Sequence, residues 1–378
     1  MSPGQGRRPR VVVAGGSIAG LGAGVALHRA GIDVDLFERD PSTLRSTGAG
    51  LVIQPELTAL VQVPGGPGLP ITRCVGRRTL EPDGSASPLQ AMPQTFTSWQ
   101  AVHSVLLRQF PAERYHAGAV VGEAAPHGDG LTIPIAGFGT VEADVLIAGD
   151  GGRSAIRRRM LPELEAGYAG YVAWRGTIRE ADMPRDLVAV FDDVFTFADA
   201  RSGGHALAYF IPGDDLGTGP GERRMNWVWY VGASPRERDA LLVDRDGQQR
   251  EASLQRGMAR EDVVAAFPAF AAAELHPAFA QLVAATPDPF LQTIVDLGVP
   301  QSVFGRTALI GDAAFIVRPH TAGGAAKAAR DALAIADQLR RTDIGIDAAL
   351  AAFQRDQLAY GRDLLAYGIA LGRRWARL

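Results

Sequence analysis

Val11-Val12-Val13-Ala14-Gly15-Gly16-Ser17-Ile18-Ala19-Gly20, with Glu38 downstream, decides the fold. The apolar, β-branched run predicts a strand, and it stops at a glycine-dense turn. Leu21 to Arg29 is rich in Ala and Leu and reads as a helix. Val34 to Phe37 reads as a second strand that delivers the acid. This is the layout of a dinucleotide-binding βαβ unit. Its turn brings backbone N–H groups to a pyrophosphate at a helix N-terminus, where the dipole favours negative charge. Glu38, about 20 residues further on, comes within reach of the ribose hydroxyls. In G-x-G-x-x-G register the glycines are Gly15 and Gly20, and Ser17, still small, holds the middle place.

Arg7 to Arg10 before an apolar stretch also resembles a secretory leader. Its glycines, the lack of a small-x-small cleavage site and the run into Asp33-Val34-Asp35-Leu36-Phe37-Glu38 count against that. No other segment approaches the ~20 continuous apolar residues of a membrane span. A chain of 378 residues has room for two domains and a large core. A net charge of -3 gives no footprint for nucleic acid. One cysteine, Cys74, excludes a disulfide scaffold, and the seven histidines show no metal-ligand spacing. The single lysine is Lys327. The expectation is a soluble cytoplasmic protein without nucleic-acid, membrane or metal partners.

Three places repeat one device, an apolar strand ending in Gly/Asp: Val11 to Gly15, Val145 to Gly151, and Thr307 to Asp312. Ligands gather at the carboxyl ends of parallel strands, so the three predict one nucleotide-binding domain built from separated segments. Tyr168 to Tyr230 is strand-like and aromatic, with Gly/Pro/Asp turns, as in an antiparallel sheet. Trp227 and Trp229 share one face of a strand and read as core. Ser253 to Ala285 and Asp347 to Leu378 carry helical spacing. The predicted architecture is α/β, with a Rossmann-like domain (8–72, 98–167, 286–345), an inserted antiparallel-sheet substrate domain (73–97, 168–285) and a C-terminal helical segment (346–378).

These segments, in this order, resemble the FAD-dependent class A aromatic monooxygenases of the para-hydroxybenzoate hydroxylase fold. Thr97-Ser98-Trp99, Tyr168 to Gly176, Asn226 to Tyr230 and Arg318-Pro319-His320-Thr321-Ala322-Gly323 resemble its 2,6-dihydroxypyridine 3-hydroxylase-like branch. The resemblance implies that FAD is held by Gly15, Ser17, Ile18, Ala19, Gly20, Glu38, Arg39, Gly50, Asp150, Gly311, Asp312, Pro319, Ala322, Gly323 and Gly324. Asp312 would meet the ribityl hydroxyls, and a helix opening near Gly324 would offer N–H donors to the reduced ring. Three departures stand out. Phe315 replaces a frequent histidine, Ala322 a frequent glycine, and the usual arginine on the Trp99 helix is missing, leaving Arg108 as its substitute.

The implied reaction is hydroxylation of an electron-rich aromatic or N-heteroaromatic ring through a flavin C4a-hydroperoxide. NADH or NADPH would bind transiently, since only one dinucleotide fingerprint is present. O2, a small aromatic substrate and a second copy in a homodimer are the expected partners. His205, Tyr209, Tyr230 and His320 are candidates for deprotonating the substrate, with His320 and Tyr209 carried forward as catalytic. The alternatives are epoxidation, Baeyer–Villiger or oxidative decarboxylation chemistry on the same fold, or a catalytically inactive flavin-binding protein.

Overall fold

A computed structural model describes residues 8–40, 50–63, 66 and 68–375. Arg7 of the leader-like stretch and residues 376–378 of the last helical segment lie outside them. The chain opens with β1 (Arg10–Ala14), α1 (Ile18–Arg29), β2 (Asp33–Glu38), β3 (Gly50–Val52), α2 (Pro55–Val61), β4 (Thr72–Leu80), β5 (Gln90–Ser98) and α3 (Trp99–Leu107). It continues through β6 (Tyr115–Ala117), β7 (Val120–Val121), β8 (Ala125–His127), β9 (Gly130–Ala136), β10 (Gly139–Ala143), β11 (Val145–Ala148) and α4 (Ala155–Met160). Then come β12 (Gly167–Arg179), α5 (Arg185–Phe191), β13 (Val194–Asp199), β14 (His205–Ile211), β15 (Arg224–Gly232), α6 (Pro235–Leu241), β16 (Ser253–Leu254), α7 (Glu261–Glu274) and α8 (Pro277–Ala285). The last elements are β17 (Phe290–Gly298), β18 (Val303–Phe304), β19 (Thr307–Leu309), β20 (Phe315–Ile316), α9 (Gly324–Leu339) and α10 (Ile346–Trp375).

The first sheet has the order β18-β19-β11-β1-β2-β6. β19, β11, β1, β2 and β6 are parallel, and β18 pairs antiparallel. The three strands that end in Gly/Asp are therefore neighbours, and their turns open on one edge. β11 is buried throughout and β1 is buried after Arg10, as parallel strands covered on both faces must be. α1 packs on α9, and Leu21, Leu27, Leu57, Leu60 and Ile335 are buried between the helices and the sheet.

The large sheet runs β16-β17-β12-β15-β14-β13-β4-β5-β3. It is antiparallel except where β13 meets β4. Its outer face buries Trp174, Trp227 and Trp229 against Phe267 of α7, which accounts for the two tryptophans as core. The inner face carries Tyr171, Arg175, His205, Tyr209, Asn226 and Tyr230, by alternation along β12, β14 and β15.

The sequence expectations differ in three places. β3 and β17 pair into the large sheet, although their residues had been assigned to the nucleotide-binding segments. Their partners are distant in sequence, so no local pattern reveals the pairing. Ser253 to Ala285 is not one helix. β16 and a loop precede α7, and Leu275-His276 before Pro277 separate α7 from α8. Pro277 sits at the first position of α8, where its missing N–H costs nothing, and it favours the extended geometry of His276 before it.

Candidate active site

The glycine turn at the end of β1 is built by contact. A Cβ on Gly20 would lie 1.9 Å from the Gly15 carbonyl oxygen, and one on Gly15 would lie 2.5 Å from the Gly149 carbonyl oxygen. Gly15 has φ +103°, a region L-residues avoid. Ser17 caps α1 without using its side chain, so its hydroxyl is spare. Glu38, buried at the end of β2, accepts from the backbone N–H of Gly16 (2.6 Å) and of Asp40 (2.7 Å). A carboxylate has about four acceptor positions, which leaves capacity for a pair of hydroxyls. Glu38, exposed Arg39, Gly15, Ser17 and Asp150 line a cavity of about 150 Å³ with Val120 and Ile156. Asp150 uses one oxygen to cap α4 through the Ala155 N–H (2.9 Å), and its other oxygen is buried and unpartnered. This cradle fits the ADP half of a dinucleotide.

The third strand end completes the cleft. Gly311 has φ +57°, and a Cβ there would meet the Ala19 methyl at 2.6 Å, so the Gly311-Asp312 turn presses on the start of α1. Beneath it lie two buried side chains of α9. Asp331 accepts from the Gly311 N–H (2.8 Å), and Lys327 donates to Asp331 (2.5 Å) and to the Gly311 carbonyl (3.2 Å). Asp312 opens into the cleft. The protein packed around it pushes its pKa up, while Lys327 and Arg157 pull it down. Arg157 is buried and donates to the carbonyls of Gly152, Asp312 and Ala313, tying the second strand end to the third. Pro319 opens a 3₁₀ turn, Ala322 follows at φ +50°, and Gln54 donates to its carbonyl (2.7 Å). Gly323 then starts α9, whose first-turn N–H groups have no side-chain cap.

Two of the expected cofactor residues stand apart from the glycine turn. Arg108 is the C-cap of α3, exposed and away from the turn. The residue of α3 that touches the turn is His103, which stacks on Trp99 (4.8 Å) and donates to the Gly16 carbonyl (3.1 Å). Gly50 lies in β3, against the inner face of the large sheet. Its N–H donates to Asn226 (3.1 Å), and a Cβ there would meet the Tyr209 ring at 2.7 Å.

The catalytic candidates divide into two groups. His320 shares a hydrogen bond with Tyr171 (2.8 Å) through Nε2, and its Nδ1 is buried and unpartnered. Its ring lies 4.2 Å from that of Tyr230 and 5.1 Å from that of His205. Tyr209 belongs to another cluster, stacked on Phe96 (4.3 Å) and edge-on to Phe195 (5.1 Å). Burial lowers the His205 pKa to about 4 and that of His320 to about 3, the latter also because His205 and Arg318 are close. Burial raises Tyr171 and Tyr230 to about 12. Sequence reasoning missed Tyr171, His103 and Arg157. The run Arg157-Arg158-Arg159 reads as surface, and nothing local marks its first member as buried.

The two histidines set an acid dependence. A histidine in the unfolded chain titrates near 6.5. Below that pH the unfolded state binds protons that the folded state refuses. The stability from neutral His205 is therefore complete above pH ~6.5 and is lost as pH falls towards 4, with a slope of up to about 1.4 kcal/mol per pH unit. His205→Gln should flatten the denaturation midpoint between pH 6.5 and 4.5. An unchanged slope would place the acid sensitivity elsewhere.

A nucleotide-binding parallel sheet with a second sheet over its Gly/Asp-bearing edge defines a dinucleotide-dependent oxidoreductase class. The family model described as FAD binding domain-like matches residues 168–296. The chain is 32% identical to 2,6-dihydroxypyridine 3-monooxygenase of Paenarthrobacter nicotinovorans, over 87% of this chain and 82% of that one. It is 26% identical to 6-hydroxynicotinate 3-monooxygenase of Pseudomonas fluorescens, over 88% and 83%. The solved structure of 2,6-dihydroxypyridine-3-hydroxylase from Arthrobacter nicotinovorans superposes with a TM-score of 0.90 at 30% identity, over 98% of this chain and 93% of that one. The chain belongs to the FAD-dependent aromatic monooxygenases. It is an oxidoreductase that uses FAD, NAD(P)H and O2, and the alternative chemistries are not favoured. Among the described residues no helix is long and apolar enough to cross a membrane.

Proposed function

We propose that this chain hydroxylates an electron-rich, hydroxylated N-heteroaromatic or aromatic ring, bound between the inner face of the large sheet and the Pro319–Gly324 segment. The observation that carries this is the cluster of His205, Tyr230, Tyr171 and His320. It sets planar walls and polar groups beside the segment that leads into α9. The relatives named for hydroxypyridine and hydroxynicotinate oxidation point to the same class.

FAD, once reduced by NAD(P)H, supplies the activation of O2. On the nucleotide side, Gly15 to Gly20 with the α1 N-terminus would hold the pyrophosphate, Glu38 the ribose, and Asp312 the ribityl chain. The N–H groups of the first turn of α9, with Gly323 and Gly324, would serve as donors to the ring. Ala322 takes a left-handed conformation that costs an alanine roughly 1 kcal/mol, and the Gln54 bond to its carbonyl holds it there. The substrate side must place the ring and keep its hydroxyl polarised. His320 stays neutral at working pH, so it acts by hydrogen bond. In the tautomer whose Nε2–H donates to the Tyr171 oxygen, Nδ1 carries the lone pair that accepts from the substrate hydroxyl and enriches the ring. Tyr209, aligned on the same face, shapes the pocket through its contact with Gly50.

The test is product analysis with labelled O2, wild type against His320→Asn. Wild type should place one labelled oxygen in a hydroxylated product. The variant should keep FAD, lose hydroxylation by about a hundredfold, within the range for a general acid–base group, and release more peroxide. Full coupling in the variant removes His320 from the chemistry. Absence of label from every product overturns the hydroxylase reading.

A further inference from the structure

Arg175 of β12 has no anionic partner among the described residues. It stands opposite Val228 of β15, on the inner face and in reach of the substrate cluster. Its guanidinium bonds to Tyr230, whose ring lies against His320, and its Nε is buried and unpartnered. No carboxylate pairs with it among the described residues. Among the described residues, three of the four buried arginines are ion-paired. Arg318 holds Asp296 (2.6 Å), Arg223 holds Glu180 (2.7 Å), and Arg224 holds Asp214 (2.6 Å).

The surroundings of Arg175 add charge of the same sign. Arg256 reaches the hydroxyl of Thr177, two residues along β12, and lies over the ring of Phe290 (5.5 Å), the residue opposite Arg175 on β17. Asp214 and Asp288 act on Arg256 electrostatically without pairing with it. Asn226, on the inner face of β15, spends its carbonyl on Gly50 and leaves Nδ2 buried and unpartnered. One guanidinium nitrogen of Arg224, on the same face, is unpartnered too. These orphaned atoms are nitrogen donors. A buried donor without an acceptor costs free energy, and a cation without a counter-charge costs more. A ligand that brings an anionic acceptor removes both costs, and the planar guanidinium matches a carboxylate or an oxyanion.

We propose that Arg175, with the Asn226 amide beside it, binds an anionic oxygen of the substrate, a carboxylate or a ring oxyanion, separate from the hydroxyl held by His320. The proposal rests on the hydroxylase reading above and specifies the charge of its substrate.

The FAD-loaded protein is titrated, without NAD(P)H, with 6-hydroxynicotinate, its neutral amide 6-hydroxynicotinamide, and 2,6-dihydroxypyridine. Binding is followed through the flavin absorbance. Wild type should bind at least one anionic probe more tightly than the amide. Arg175→Met should weaken that anionic probe about ten- to a hundredfold, the range for a charge-assisted bond, and leave the amide unchanged. Arg175→Lys should retain part of the preference. Dependence on Arg175 for 6-hydroxynicotinate identifies a carboxylate, and dependence for 2,6-dihydroxypyridine alone identifies a ring oxyanion. Equal binding of anions and amide, no binding of any probe, or anion binding that survives in Arg175→Met overturns the proposal. Loss of FAD itself from Arg175→Met also overturns it, because the guanidinium would then serve the flavin. The hydroxylase reading fails separately, through absence of labelled oxygen in product.

Discussion

Lys327→Met should cost the fold about 3–5 kcal/mol, the loss expected when one member of a buried ion pair is removed. Lys327 is the only lysine of the chain, and its side chain and that of Asp331 are each 2% exposed. The ammonium contacts Asp331, the Gly311 carbonyl and the ring of Phe315 (5.3 Å). Asp331 receives the Gly311 N–H, so the pair grips both polar groups of one left-handed residue. Without the ammonium, the carboxylate keeps that N–H but loses its counter-charge, and its second oxygen is already unpartnered. The same contact explains Phe315. Where the family often has histidine, an aromatic face is the neutral neighbour that suits an ammonium. Removing both charges together leaves no uncompensated ion, so Lys327→Met/Asp331→Leu should recover much of the loss. Denaturant unfolding of the two singles and the double forms the cycle. A Lys327→Met protein within 0.5 kcal/mol of wild type would show that the pair does not support the turn.

That pair also shows where sequence reading stops. Lys327 and Asp331 stand four apart, and that spacing is visible. Their burial depends on α1 and the Gly311 turn packing over them, which spacing along one helix does not reveal. The βαβ unit was legible because every signal in it is local: β-branched strand, glycine turn, helix, acid. The adjacency of β19, β11 and β1 was legible because three separated segments carried the same strand-end device. Arg108 failed for a geometric reason. A helix presents one face to its neighbour, and here the stacking of His103 on Trp99 turns residue 103, not 108, towards Gly16. Tyr209 and His320 looked alike as lone polar aromatics. Only the tertiary packing separates a ring stacked on Phe96 from one bonded to Tyr171.

Gly20→Ala should weaken FAD binding by about a hundredfold or more. The new methyl would stand 1.9 Å from the Gly15 carbonyl oxygen, 2.9 Å from its carbon and 3.4 Å from a Val13 methyl. The obstacle is backbone, and Gly15 cannot retreat freely, because the Gly149 carbonyl fills the space where a Cβ of Gly15 would lie. Relief therefore opens the turn or tilts α1, and both move the N–H groups that face the pyrophosphate. Overpacking of this kind typically costs about 1–3 kcal/mol, and a clash with backbone belongs at the upper end, a factor of about a hundred in affinity. Gly24→Ala supplies the control on the same helix. Its methyl would meet the edge of the Phe110 ring at 3.1 Å and a Leu36 methyl at 3.4 Å, side-chain atoms that need give way by only a few tenths of an ångström. Alanine also gains up to about 1 kcal/mol over glycine inside a helix, so that variant should bind FAD normally and unfold no earlier than wild type. FAD dissociation constants from flavin fluorescence, with denaturant midpoints for each apoprotein, separate the two effects. Equal FAD affinity in the two variants would mean that the close approach of Gly15 and Gly20 does not shape the pyrophosphate site.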